Sequence, residues 1–83
     1  MYQIILSRTA EKDLGKVSKK YKPHIFAALF DLRRNPYSGK KLEGKFRDCY
    51  SLRIGMYRII YKVYKNKLGI LIIRIGPRQG AYK

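Results

Sequence analysis

Apolar residues follow two different periods along the chain, one in each half. The opening YQIIL, Tyr2 to Leu6, is a short apolar run suited to a strand. Ala10, Leu14, Val17 and Tyr21 then recur at helical spacing, which predicts an amphipathic helix over residues 9 to 20 with Thr9 as its N-cap. Glu11 and Asp13 fall in its positive first turn. Pro23 suits the first turn of a second helix, in which Phe26, Leu29 and Phe30 are expected to form the apolar face with Ile25 and Leu32 beside it. Asn35-Pro36 ends that helix. So few residues separate the two helices that an antiparallel helical hairpin is expected.

Residues 37 to 48 show no period and read as a loop that carries Lys40, Lys41, Lys45 and Arg47. From Cys49 onward the period is two. Tyr50, Leu52 and Ile54 alternate with Ser51 and Arg53; Tyr57, Ile59, Tyr61 and Val63 alternate with Arg58, Ile60 and Lys62. Gly55-Met56 between them fits a two-residue turn with glycine first, type II′. Lys65-Asn66-Lys67 makes the next turn, and residues 69 to 75 are apolar on both faces, as in a central strand. The register of that last strand stays open, because a two-residue loop and a bulged one put opposite faces on the core. The expected fold class is α+β: an N-terminal strand, an antiparallel helical hairpin, then a three-strand antiparallel meander completing one small sheet. It forms a single domain over residues 1–83, with the helices on one sheet face and the other partly open.

A turn at Gly55-Met56 pairs Ile54 with Tyr57, Leu52 with Ile59 and Tyr50 with Tyr61, so the large apolar residues share one face. It also sets Arg53 directly opposite Arg58 on the other, where like charges are unfavourable by up to about 1 kcal/mol. Two readings are open. The arginines splay into water and keep the sheet soluble, or they hold an anion between them, for which a planar, permanently charged guanidinium is well suited. The tail IRIGPRQGAYK, with Arg74, Arg78 and Tyr82, favours the second, because a reacting phosphodiester gains negative charge.

Composition sharpens this picture. Twenty lysines and arginines stand against five acids, a formal charge of +15 spread from Arg8 to Lys83. Such a coat invites nucleic acid or an acidic protein. A chain of 83 residues has little room for an enclosed active site. One cysteine and one histidine give neither a disulfide nor a structural zinc site. Nothing resembles a signal peptide or membrane span, so a cytoplasmic location is expected. His24 and Cys49 read as packing or surface residues.

The order and spacing of SRTAEKDLGKV, the helical hairpin ending at NP, KLEGKFRDCYSLRIGMYRIIYKV and IRIGPRQGAY resemble the RelE/ParE superfamily of toxins from toxin–antitoxin systems, over nearly the whole chain. LRIGMYRIIY followed by IGPR and then tyrosine is the most specific part. RelE-like members are ribosome-dependent endoribonucleases that cut messenger RNA without a metal: the ribose 2′-hydroxyl attacks the adjacent phosphate, the 5′-oxygen leaves and a cyclic phosphate forms. The resemblance implies a catalytic set of Arg53, Arg58, Arg78 and Tyr82. Arg58 would contact the scissile phosphate and Arg78 the developing charge. RNA-backbone contacts would come from Lys40, Lys41, Lys45, Arg47 and Arg74. It implies no cofactor, and as partners the ribosome, messenger RNA and a cognate antitoxin, acidic and encoded nearby. Ser51 stands where some relatives have a lysine implicated as general base, and Pro77 where a polar residue is common, so the proton acceptor is unassigned. A ParE-like inhibitor of DNA gyrase without nuclease chemistry is the alternative, as is an inactive relative that keeps only RNA or antitoxin binding.

Overall fold

The computed structural model describes residues 1–77 of the chain. Strand β1, Gln3–Leu6, passes straight into helix α1, Arg8–Lys16, through Ser7. Ser7 is extended, its side-chain oxygen accepts a hydrogen bond from the Ala10 N–H at 3.0 Å, and its hydroxyl donates to the Ile73 carbonyl at 2.9 Å. The cap is therefore Ser7 rather than the expected Thr9, because Ser7 alone joins the helix start to the sheet as well. The helix stops at Lys16, short of residue 20, where Val17 turns extended.

Helix α2, Lys22–Leu32, starts with Pro23 in its first turn as expected. Its buried stripe is Ile25, Ala28, Leu29 and Leu32, whereas Phe26 and Phe30, assigned to the core from sequence, are each 53% exposed. The helix is apolar on nearly every side, so helical spacing admits two stripes. The sheet face beneath already carries the rings of Tyr50, Tyr57 and Tyr61, and the slimmer aliphatic stripe allows closer approach.

Five strands form one sheet in the order β1-β5-β4-β3-β2. Here β2 is Lys40–Lys41, β3 is Cys49–Ile54, β4 is Tyr57–Tyr64 and β5 is Gly69–Pro77. β1 runs parallel to β5, and all other pairs are antiparallel. The segment expected to be a loop thus contributes the edge strand β2 and a 3-10 turn at Gly44–Phe46. The β3–β4 pairing is the expected one, from Cys49 opposite Lys62 to Ile54 opposite Tyr57.

A bulge settles the open register of β5. Ile70 and Ile72 pair with Val63 and Tyr61, but after the irregularity at Ile60/Tyr61 the partners are Arg74 with Ile60 and Ile75 with Ile59. The extra residue inverts the alternation. Ile70, Ile72 and Ile75 consequently all reach the core with Ile59, Tyr61 and the α2 stripe, and this is why the strand reads as apolar on both faces.

β1 covers β5 only from Gly69 to Ile72. Beyond it, α1 closes the edge: the Ser7 N–H donates to the Ile72 carbonyl at 2.9 Å, and Asp13 Oδ2 accepts from the Ile75 N–H at 3.0 Å. Edge groups that would otherwise template another strand are thereby occupied. No helix among the described residues is long and apolar enough to cross a membrane.

Candidate functional site

The hairpin between β3 and β4 turns as the sequence predicts. Gly55 has φ +57°, which a non-glycine residue adopts at a cost, while Met56 does not share the positive φ. With this turn Arg53 stands opposite Arg58, and across the neighbouring pair Lys40 of β2 stands opposite Ser51 of β3. Alternation puts all four on the sheet face away from the helices. There they line a cleft of about 280 Å³ together with Leu42. Among the described residues its lining holds three cations and no carboxylate. Two opposed guanidiniums and an ammonium around a small serine present the fork-shaped donors whose chemistry suits phosphate.

Just before β2, Gly39 packs closely on the core side of the sheet. The Gly39 N–H donates to the hydroxyl of Tyr61 at 3.0 Å. A Cβ at position 39 would stand 2.7 Å from that hydroxyl and 2.9 Å from the Ser51 carbonyl oxygen, so only glycine permits the approach. Tyr61 is fully buried. Its ring stacks on Tyr50 with centroids 5.5 Å apart, and Tyr50 meets the edge of Tyr37 at the same separation. Burial pushes the Tyr61 hydroxyl above its ordinary range, against the opposing pull of hydrogen bonds from Gly39 and Ser38. A row of tyrosines therefore holds the segment that delivers Lys40.

The other expected contacts divide. Lys41 pairs with Tyr50, whose face is the helical one, so alternation turns it away from the arginines. Lys45 lies in the 3-10 turn with its Nζ 5.9 Å from the Phe46 ring centroid, and Arg47 is exposed just after it. Neither lines the cleft. Arg74 is engaged elsewhere: its Nε donates to Asp13 Oδ2 at 2.9 Å, on the edge of β5 closed by α1. Gly76 pairs with Arg58 and Pro77 with Tyr57, so β5 ends beside the arginine pair. Arg78 and Tyr82 lie outside the described residues. Cys49 is buried, and burial raises its thiol above the ordinary range, as befits a packing residue rather than a nucleophile. The grouping of Lys40 with the arginines is what the sequence did not reveal, since a two-residue strand is too short to show a period.

A family model described as the ParE toxin of type II toxin-antitoxin system, parDE, matches residues 4–82. The chain belongs to the RelE/ParE superfamily of toxins. It is similar to Toxin RelG of Mycobacterium tuberculosis, with 31% identity across 99% of this chain and 97% of that protein. Among solved structures, the toxin–antitoxin complex RelBE2 of M. tuberculosis contains a chain with a TM-score of 0.86 and 29% identity, covering 93% of this chain and 98% of that one. The archaeal RelE–RelB complex from Pyrococcus horikoshii OT3 contains another with a TM-score of 0.81 and 28% identity, covering 96% of this chain and 98% of that one. The protein is thus a toxin of a type II toxin–antitoxin system, with the α+β fold of the RelE-like members.

Proposed function

We propose that this toxin is an endoribonuclease that cuts messenger RNA on the ribosome and so inhibits translation, in the cytoplasm where ribosomes work. The observation that carries the reading is the cleft in which Arg53 and Arg58 face each other with Lys40 beside them. Two guanidiniums placed opposite each other offer the paired, fork-shaped donors that suit a phosphate, and the open sheet face admits a flexible strand. The chemistry is attack of the ribose 2′-hydroxyl on the adjacent phosphate. The arginines stabilise the charge that develops on the phosphoryl oxygens, an effect that is usually the largest single contribution to such catalysis. Arg58 takes the phosphate with Arg53 opposite, and Arg78 and Tyr82 complete the set from the segment after β5. Lys45, Arg47 and Lys41 serve ribosomal RNA backbone by charge alone.

The cognate partner is an acidic antitoxin. A charge of +15 speeds association with it. Phe26 and Phe30, exposed on α2 with the Arg33 guanidinium 5.2 Å from the Phe30 ring centroid, offer it an apolar footing.

The test is addition of the protein to a translating extract, with messenger ends mapped by primer extension, alongside Arg58→Ala and Arg78→Ala. Cuts at the decoding site that disappear in both variants are expected. Intact messages together with blocked gyrase supercoiling would instead identify the ParE-like activity.

A further inference from the structure

Among the described residues five side chains line the cleft, and of their residue types a lysine is the one suited to hand on a proton and take it back. The guanidiniums of Arg53 and Arg58 hold theirs too tightly, the Ser51 hydroxyl does not ionise in the accessible range, and Leu42 has none to give. Among these described residues the remaining group is the amine of Lys40. We propose that Lys40 is the proton donor to the leaving 5′-oxygen, a catalytic residue delivered from the edge strand β2. The inference rests on the nuclease reading above.

Placement supports the role. Lys40 is opposite Ser51, and Ser51 precedes Arg53 by two residues on the same face, so Lys40 is the diagonal neighbour of Arg53. Diagonal positions on adjacent strands lie about 7–8 Å apart, within reach of a lysine stem. A phosphodiester gripped between Arg53 and Arg58 then has its end nearest β2 within range of the ammonium. The small, buried Ser51 leaves that path open, where a longer side chain would fill it. In the step itself the 2′-oxygen bonds to phosphorus while its proton passes to solvent hydroxide. The bond from phosphorus to the 5′-oxygen breaks, and that oxygen takes a proton from the Lys40 ammonium. Water then returns a proton to the amine, so the cycle closes with a 2′,3′-cyclic phosphate and a 5′-hydroxyl. The Tyr61–Gly39 hydrogen bond sets how far β2 carries Lys40 into the site.

The experiment compares two ribosome-bound messages, one natural and one with a single bridging 5′-sulfur at the scissile position, which leaves without needing a proton. Wild type, Lys40→Ala and Lys40→Arg are assayed in single turnover. Both variants should cut the natural message about 100-fold or more slowly, and the sulfur message within a few-fold of wild type. An equal loss on both messages would make Lys40 a phosphate contact only and overturn the assignment. So would a Lys40→Arg variant that cuts the natural message at the wild-type rate. A wild-type protein that leaves both messages whole would overturn the nuclease reading and the proton donor with it, an outcome told apart by the wild-type reactions alone.

Discussion

Replacing Gly39 with alanine tests how the edge strand is held. The added Cβ would stand 2.7 Å from the Tyr61 hydroxyl and 2.9 Å from the Ser51 carbonyl oxygen. The hydroxyl belongs to a ring with no exposed surface, and the carbonyl belongs to the β3 backbone, so neither can retreat freely. Overpacking of this kind costs about 1–3 kcal/mol, and losing the Gly39 N–H bond to Tyr61 adds about 1 kcal/mol. Gly39→Ala should therefore lower stability by roughly 2–4 kcal/mol, a fall in Tm of roughly 10 °C or more for a domain of this size. Urea unfolding followed by tyrosine fluorescence measures it, with Tyr61→Phe as the comparator that removes the hydrogen bond without the clash and should cost about 1 kcal/mol. The double variant should recover only part of the loss, because the Ser51 carbonyl remains in the way. A Gly39→Ala protein within about 0.5 kcal/mol of wild type, the usual scatter of an innocuous surface change, would refute the close approach. Full recovery in the double variant would show that the Ser51 carbonyl does not constrain β2.

Asp13→Ala should cost about 2 kcal/mol, mainly by stripping the Ile75 N–H of a charged acceptor. The Arg74 side chain is 40% exposed and its ion pair adds little. Asp13→Asn, which keeps an acceptor oxygen, should recover most of the loss, and equal urea midpoints for the two variants would assign the effect to charge instead. On α2, Phe26→Ser and Phe30→Ser should each leave stability within about 0.5 kcal/mol of wild type, while Ile25→Ala should cost about 2–5 kcal/mol. The opposite ranking in thermal unfolding would restore the phenylalanine face to the core.

Legibility in the sequence followed the range of the interactions. The hairpin was readable because alternation and a two-residue glycine turn are local, and together they set Arg53 against Arg58 with no reference to the rest of the fold. The motif order was equally readable and pointed to the toxin superfamily. Helix α2 misled because its spacing supports two apolar stripes, and the choice between them belongs to the sheet it covers. Asp13 read as a first-turn acid favouring the helix dipole, yet its partners are Ile75 and Arg74, far along the chain. The β5 register waited on a bulge, whose single extra residue changes which side of every later position meets the core.

Local pattern was enough for β1, the two helices, the strands from β3 to β5 and the pair of opposed arginines, since turn length and period act between neighbours. The tertiary structure alone decided which further cation joins them. Lys40 lines one cleft with Arg53 and Arg58 on a strand preceded by a glycine that lies against a buried tyrosine hydroxyl, and no period along the chain relates those segments.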